Sequence, residues 1–436
     1  MTDHLGAVLR AHKAGERVGV TSVCSAHPLV LAASMRQAAT DGTFLLVEAT
    51  SNQVDQFGGY TGMRPADFRD VVLRIADEEA FPRDAVVLGG DHLGPNTWQS
   101  EEPESAMRKA VDLVAAYAAA GYTKLHLDCS MRLAGDPDPL PDAVVAERAA
   151  RLLAAAEAAA PDPEAVRYVI GTEVPVPGGA HETIDTLVPT PPDAARATLD
   201  AHRAAFRAAG VEQAWDRVMA LVVQPAVEFD HVHVVDYDPS RTVELQHVLD
   251  DEPTMVFEAH STDYQLPEAL AALVADHWAV LKVGPGLTFA LREGLFALAA
   301  IEEQLVPEGE RSDVIDVIER VMLADPGRWE RYYEGDADEQ RIARRFSYSD
   351  RMRYYLPDPA IVAAVDRLLD NLAGTGVPEP LISQYLPDQY RRVRRGELAA
   401  EPRELLIDRV RDALRPYSAA TGGPAPAATV AVDTGR

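Results

Sequence analysis

The chain has 436 residues, 47% of them hydrophobic, enough to bury a large core. Its 69 Asp and Glu against 41 Lys and Arg leave a formal charge of −28. That charge excludes broad binding to a nucleic-acid backbone but leaves open a local positive site for a small anion.

Two cysteines, Cys24 and Cys129, are too few for a disulfide framework. The first twenty residues lack a signal-peptide pattern, and no run reaches the ~20 apolar residues of a membrane helix. A soluble cytoplasmic protein with no membrane or nucleic-acid partner is expected.

Along the chain, short apolar runs recur at 17–24, 44–50, 85–92, 124–130, 167–174, 218–225, 254–260 and 279–286. Alanine-rich helical stretches stand between them, such as "SAMRKAVDLVAAYAAAG" and "PDAVVAERAARLLAAAEAAA". Strands alternating with helices predict parallel β/α units, and runs without polar alternation predict strands covered on both faces. Eight units close a TM-helix-free α/β fold, the TIM (β/α)8 barrel. The rival, an open doubly wound sheet, would carry a glycine-rich turn after its first strand, and "TSVCSAHP" has none. Beyond residue 300 the strand signals stop, and "SDVIDVIERVML", "DPAIVAAVDRLLDNLA" and "PRELLIDRVRDALRPY" read as amphipathic helices. The expected organisation is a barrel over 1–299, a C-terminal helical extension over 300–417 packed on it, and a disordered tail over 418–436.

Barrel chemistry sits at the C-terminal strand ends. Glu48, Asp91, His92, Asp128, Glu173, Asp230, His231, His260 and Lys282 stand there. Imidazoles and carboxylates converging from distant segments suit a divalent metal, with Zn²⁺ expected and Mn²⁺ or Co²⁺ as options. His92, His231 and His260 are the expected ligands, with Asp91 as acid/base. Asp128 and Glu173 complete the expected catalytic set, Glu173 as ligand or hydrogen-bonding support. A single such residue more often caps a loop. Asp128 could cap the next turn, and Glu48 could pair with Arg64. His126, His181, His233, His247 and His277 are read as structural or surface residues, His126 and His181 with the least ease. The loops after strands seven and eight offer Ser261, Gly284 and Thr288, with Lys282 nearby, for a phosphate. A desolvated Lys282 could alternatively form a Schiff base.

Long stretches give a resemblance. "ATSNQVDQFGGYTGM", "GGDHLGPNTWQ", "HLDCSM", "GTEVPVPGGAHET", "VVQPAVEFDH", "FEAHSTDYQ", "LKVGPGLTFALRE", "FSYSDRMRYY" and "LISQYLP" closely resemble the GatZ/KbaZ family over about residues 15–415. The family is known as the non-catalytic subunit of class II D-tagatose-1,6-bisphosphate aldolase, in galactitol or N-acetylgalactosamine breakdown. Some similar proteins are assigned C4 epimerisation of ketohexoses or their phosphates, and older assignments include tagatose-6-phosphate kinase. No GxxxxGK[ST] loop supports a kinase. By resemblance to class II aldolases, Asp91 is the acid/base, His92, His231 and His260 hold the metal, and Ser261 belongs to a phosphate loop. Asp230-His231 and "VGPGLT" depart from that pattern.

Two functions are therefore expected. The first is a metal-dependent C4 epimerase acting on D-tagatose 6-phosphate and D-fructose 6-phosphate. The alternative is an accessory subunit that stabilises and activates a catalytic aldolase subunit. The Tyr- and Arg-rich stretch "RYYEGDADEQRIARRFSYSDRMRYY" offers either an interface or intramolecular packing. An oligomer is expected.

Overall fold

Each apolar run forms a parallel strand, and the eight close into a ring. The computed structural model describes residues 3–172, 174 and 187–423. The barrel strands are β1 (Val20–Val23), β2 (Leu45–Thr50), β3 (Val86–Leu93), β4 (Lys124–Leu127), β5 (Arg167–Ile170), β6 (Val218–Val222), β7 (Val256–Ala259) and β8 (Val280–Val283). Each is hydrogen-bonded to its neighbours in chain order, and β1 closes on β8 with Val20 opposite Val280 and Ser22 opposite Lys282. A short antiparallel ribbon, Glu228–Phe229 with Val234–Val235, follows β6.

The period of two along a strand sets what fills the barrel. Val20, Leu46, Val87, Val256 and Val280 form an apolar layer, closed from below by Leu5 and Leu9 of helix α1 (His4–Lys13). Two residues further along β1, β2, β7 and β8 stand Ser22, Glu48, Glu258 and Lys282, and β4 contributes Lys124. This second layer is charged and buried. Lys124 Nζ lies 2.8 Å from Glu48 and 2.7 Å from Glu258, and Ser22 donates to Glu48 at 2.5 Å. On β3 the matching position is Gly89. A Cβ there would stand 2.7 Å from Glu48 Cγ, so glycine leaves the room that carboxylate fills.

Helices α2 (Pro28–Asp41), α3 (Pro65–Glu78), α4 (Pro103–Ala119), α5 (Asp142–Ala159), α6 (Pro192–Ala208), α7 (Pro267–Ala275) and α8 (Pro285–Leu305) surround the ring. Six of them, all but α5, begin with a proline preceded by extended or irregular backbone, where its missing N–H costs nothing, and α5 follows Pro141. The C-terminal helices follow as α9 (Val314–Ala324), α10 (Ala337–Phe346), α11 (Pro359–Thr375), α12 (Glu379–Tyr385), α13 (Pro387–Arg394) and α14 (Pro402–Ala420). Helix α14 packs on α8, α2 and α7. Arg36 of α2 joins Glu404 of α14 at 2.6 Å and Glu79 at 2.5 Å.

The expected boundary at 299/300 lies inside the unbroken helix α8. The segment from residue 418 begins as helix, since α14 runs to Ala420 and the Thr421 carbonyl accepts from Gly19 N–H at 3.1 Å. Residues 424–436 lie outside those described. No helix among the described residues is long and apolar enough to cross a membrane.

One buried imidazole away from the mouth ties stability to acidity. His202 on α6 is fully buried; its Nδ1–H donates to the Thr198 carbonyl at 2.8 Å, and its Nε2 has no partner. Burial pushes its pKa down to about 4. Between pH ~6.5 and that value the unfolded chain binds a proton that the folded chain refuses, so stability falls as pH drops through this window. His202→Asn is expected to remove up to about 3 kcal/mol of that acid-side loss. Denaturant midpoints from pH 7.5 to 4.5 should show a flatter profile; an unchanged profile would mean the imidazole does not carry this dependence.

Candidate functional site

The site grows from the strand ends above the charged layer. At the end of β3 the pairing register with β4 shifts between Gly90 and Leu93, and His92 has φ +48°, a left-handed conformation rare for such a residue. At Gly94 a Cβ would lie 1.7 Å from the Asp128 carbonyl, so the chain can press against β4 only with glycine there. The result is a histidine cluster. The His92 ring lies 5.1 Å from that of His126 and 4.8 Å from that of His260. Ser261, Tyr264 and Asp350 also take positive φ near this mouth, and such strain gathers where surrounding packing holds a site in place.

Four residues bring ligand atoms within 4.8 Å of one another, all buried: Asp91, His126, Glu258 and His260. Asp91 Oδ1 lies 3.0 Å from His126 Nδ1 and forms an ion pair with Lys282 Nζ at 2.8 Å. The His92 N–H also points at His126 Nδ1, at 3.3 Å, while among the described residues the His126 Nε2 is buried without a hydrogen-bond partner. His260 Nε2 lies 3.0 Å from Glu258.

Electrostatics reinforce this division of labour. Burial works against charge on Asp91, but His92, Lys282 and His126 outweigh it and hold the carboxyl well below its usual range. Glu258 is likewise held low, against burial, by Lys124, Lys282 and His260. Burial pushes His260 down to about 3, so its imidazole is neutral and carries a lone pair. Two imidazoles and two carboxylates form a donor set suited to Zn²⁺, Mn²⁺ or Co²⁺, and the orphaned His126 nitrogen fits such an ion.

His92 differs. Its Nδ1 lies 2.7 Å from Asp128, and its Nε2 lies 3.6 Å from Asp91. Burial lowers its pKa, but the two acids outweigh that and raise it. Asp128 also accepts from Ser130 N–H at 3.0 Å, so it caps the turn and orients the imidazole.

The expected ligand trio is therefore not gathered in one place. His260 belongs to the quartet and His92 stands beside it. His231 turns to the extension, its Nδ1 3.0 Å from Ser349 Oγ and its ring 5.2 Å from Tyr333. The ribbon after β6 carries it away, and Asp230 uses its carboxylate on the Val232 and His233 N–H groups at 2.7 Å each. Glu173 and His181 lie outside the described residues. Glu48 pairs with Lys124 and Lys282 rather than with Arg64. His126, read as structural, is in the quartet, while His233 and His247 are exposed. His126 and Glu258 had a visible signal: they stand two residues before Asp128 and His260, on the same strand face.

Of the phosphate-loop donors, Ser261 lines the cavity described below, whereas those after β8 are taken by acids. Asp263 Oδ1 accepts from Gly284 N–H at 2.9 Å and Gly286 N–H at 2.7 Å, and Thr288 donates to Asp350 at 2.5 Å. Lys282 is enclosed by Asp91, Glu48 and Glu258 at 2.8, 3.0 and 3.7 Å. Burial disfavours its charge, yet Asp91 and the other acids raise its pKa well above the usual lysine value. That is the opposite of what an imine-forming amine requires.

Above these residues lies a half-open cavity of about 70 Å³, lined among others by Asp91, His92, His260, Ser261, Lys282 and Arg353. Arg353 and the neighbouring Tyr354 come from the C-terminal extension, which thus forms part of the wall.

Comparison with known proteins identifies a family. A sequence model for a family described as D-tagatose-1,6-bisphosphate aldolase subunit GatZ/KbaZ-like matches residues 5–422. A crystal structure from Sinorhizobium meliloti 1021, described as a probable tagatose 6 phosphate kinase, is 51% identical; the match covers 92% of this chain and 100% of that one, with TM-score 0.86. Fructose-bisphosphate aldolase from Campylobacter jejuni matches at 13% identity over 85% and 91% of the two chains, with TM-score 0.44. Fructuronate-tagaturonate epimerase UxaE from Cohnella laeviribosi matches at 13% identity over 93% and 81%, with TM-score 0.48.

Proposed function

Since the chain belongs to the GatZ/KbaZ-like family of D-tagatose-1,6-bisphosphate aldolase subunits, we propose that it is a metal-dependent epimerase acting at C4 of a ketohexose phosphate. It would interconvert D-tagatose 6-phosphate and D-fructose 6-phosphate in the cytoplasm, consistent with two free cysteines. The observation that carries this reading is the buried quartet Asp91, His126, Glu258 and His260, opening on the cavity beside an oriented His92–Asp128 pair.

The four side chains would hold the ion, which supplies a Lewis acid at the ketose oxygens when bound. His92 is the proton carrier: Asp128 fixes its Nδ1, which leaves Nε2 to take the proton of the substrate's C4 hydroxyl. As that proton leaves, the C3–C4 bond breaks, giving an aldehyde at C4 and an enediolate over C2 and C3. Rotation of the aldehyde, re-formation of the bond and return of the same proton invert C4. Both fragments must stay in the cavity between the two steps.

A second reading rests on a different observation. Lys124 and Lys282 already pair with Glu48, Asp91 and Glu258, so the mouth is a self-consistent folding unit. The chain would then act as an accessory aldolase subunit.

Turnover by the purified protein separates the two. After chelator treatment and addition of Zn²⁺ or Mn²⁺, D-tagatose 6-phosphate is expected to yield D-fructose 6-phosphate. Silence with both sugars, relieved only by a catalytic aldolase subunit, would overturn the epimerase and support the accessory role.

A further inference from the structure

We infer that Arg353, carried over the barrel mouth by the C-terminal extension, binds the phosphate of the substrate. This deepens the reading above and rests on its sugar-phosphate substrate.

Two long cationic side chains line the cavity, and their surroundings are opposite. Lys282 meets three carboxylates. Arg353 donates from Nη1 to the backbone carbonyls of Ser349 and, at 3.1 Å, Asp350, and from Nη2 to the Tyr354 hydroxyl at 2.9 Å. Among the described residues, none of its hydrogen-bond or ion-pair partners is a carboxylate. Asp350 and Asp263 act on this half-buried guanidinium only through space, so its edge remains free to donate a direct, charge-assisted hydrogen bond to an arriving anion.

The neighbourhood repeats the pattern. Arg351 is buried with its guanidinium 3.4 Å from the Tyr332 ring centroid, and Arg328 lies over Tyr60 and Tyr354 at 5.9 and 5.8 Å. Neither has a carboxylate partner among the described residues. In a chain of charge −28, three arginines with no directly paired carboxylate among the described residues gather positive charge beside the cavity, although Asp263 and Asp350 stand near Arg353. The planar guanidinium also matches two phosphate oxygens at once, as an ammonium does not. Of the donors expected in this role from sequence, the Gly284 amide, the Thr288 hydroxyl and the Lys282 ammonium are already committed to Asp263, Asp350 and the charged layer, while Ser261 lines the cavity and could join Arg353.

The test is calorimetric titration of the full-length, metal-loaded protein with D-tagatose 6-phosphate, D-tagatose and inorganic phosphate. The ester is expected to bind at least roughly tenfold tighter than the free ketose, with inorganic phosphate competing against the ester. Arg353→Met should remove at least roughly tenfold of ester affinity and leave ketose binding unchanged, and Arg353→Lys should restore part of it. Equal affinity of the unmodified protein for ester and ketose would overturn the inference without any variant. So would an Arg353→Met protein that binds the ester as tightly as the parent. Ester binding through Arg353 without C4 inversion would remove the epimerase and keep this inference; inversion of the free ketose with no preference for the ester would do the reverse.

Discussion

His126→Leu will remove bound divalent metal and abolish turnover, whereas His92→Gln will retain the metal and lose a factor on the order of 10²–10⁴ in rate. The contrast follows from where the two imidazoles are tied. His126 is held by Asp91 through Nδ1 and keeps a buried, unpartnered Nε2 within the quartet. Removing it takes one of four donors and leaves Asp91 with a changed hydrogen bond. His92 is anchored on Asp128 at 2.7 Å and stands outside the quartet. Glutamine there keeps a polar side chain but cannot accept and return a proton near neutrality. Elemental analysis after dialysis reads the metal, and coupled detection of D-fructose 6-phosphate reads the rate. If His92→Gln lost its metal and His126→Leu kept it, the roles would exchange, in line with the class II aldolase pattern.

Lys124→Met is expected to cost about 3–5 kcal/mol of folding stability. The ammonium is fully buried, 2.8 Å from Glu48 and 2.7 Å from Glu258, with both acids fully buried. Methionine fills a similar volume but leaves Glu258 with only the more distant Lys282 at 3.7 Å and the neutral His260. Glu48 keeps Lys282 at 3.0 Å and the Ser22 hydroxyl, so Glu258 bears most of the loss. Adding Glu258→Gln to Lys124→Met should recover part of the stability, because a neutral amide replaces the uncompensated charge. Guanidinium unfolding measures both. A loss below about 1 kcal/mol would show that the acids take up protons at little cost instead.

The barrel was legible because strands covered by helices outside and packed side chains inside read as short apolar runs with turn signals between them. Asp91, Asp128 and His260 were legible because they stand at strand ends, where the mouth is. His126 and Glu258 were harder because they lie next to or within apolar stretches, disguised by leucine, phenylalanine and alanine neighbours that face the helices. Their alternation, Lys124, His126 and Asp128 on one face of β4, was the signal available. His231 misled because adjacency to β6 suggested a place at the mouth, and only the tertiary fold shows the ribbon diverting it to Ser349. The phosphate loop misled for a related reason. Spacing reveals which amides and hydroxyls a loop offers, but not that Asp263 and Asp350, from elsewhere in the chain, occupy them.

The contribution of Arg353 and Tyr354 to the cavity wall sets an order of events during synthesis. All eight strands have left the ribosome once residue 283 and the length of the exit channel are cleared, so the ring can close early. The wall still lacks the piece supplied by residues 353 and 354. A nascent barrel thus carries its charged interior before it carries its cover, and the pocket is finished by some of the later residues to be translated.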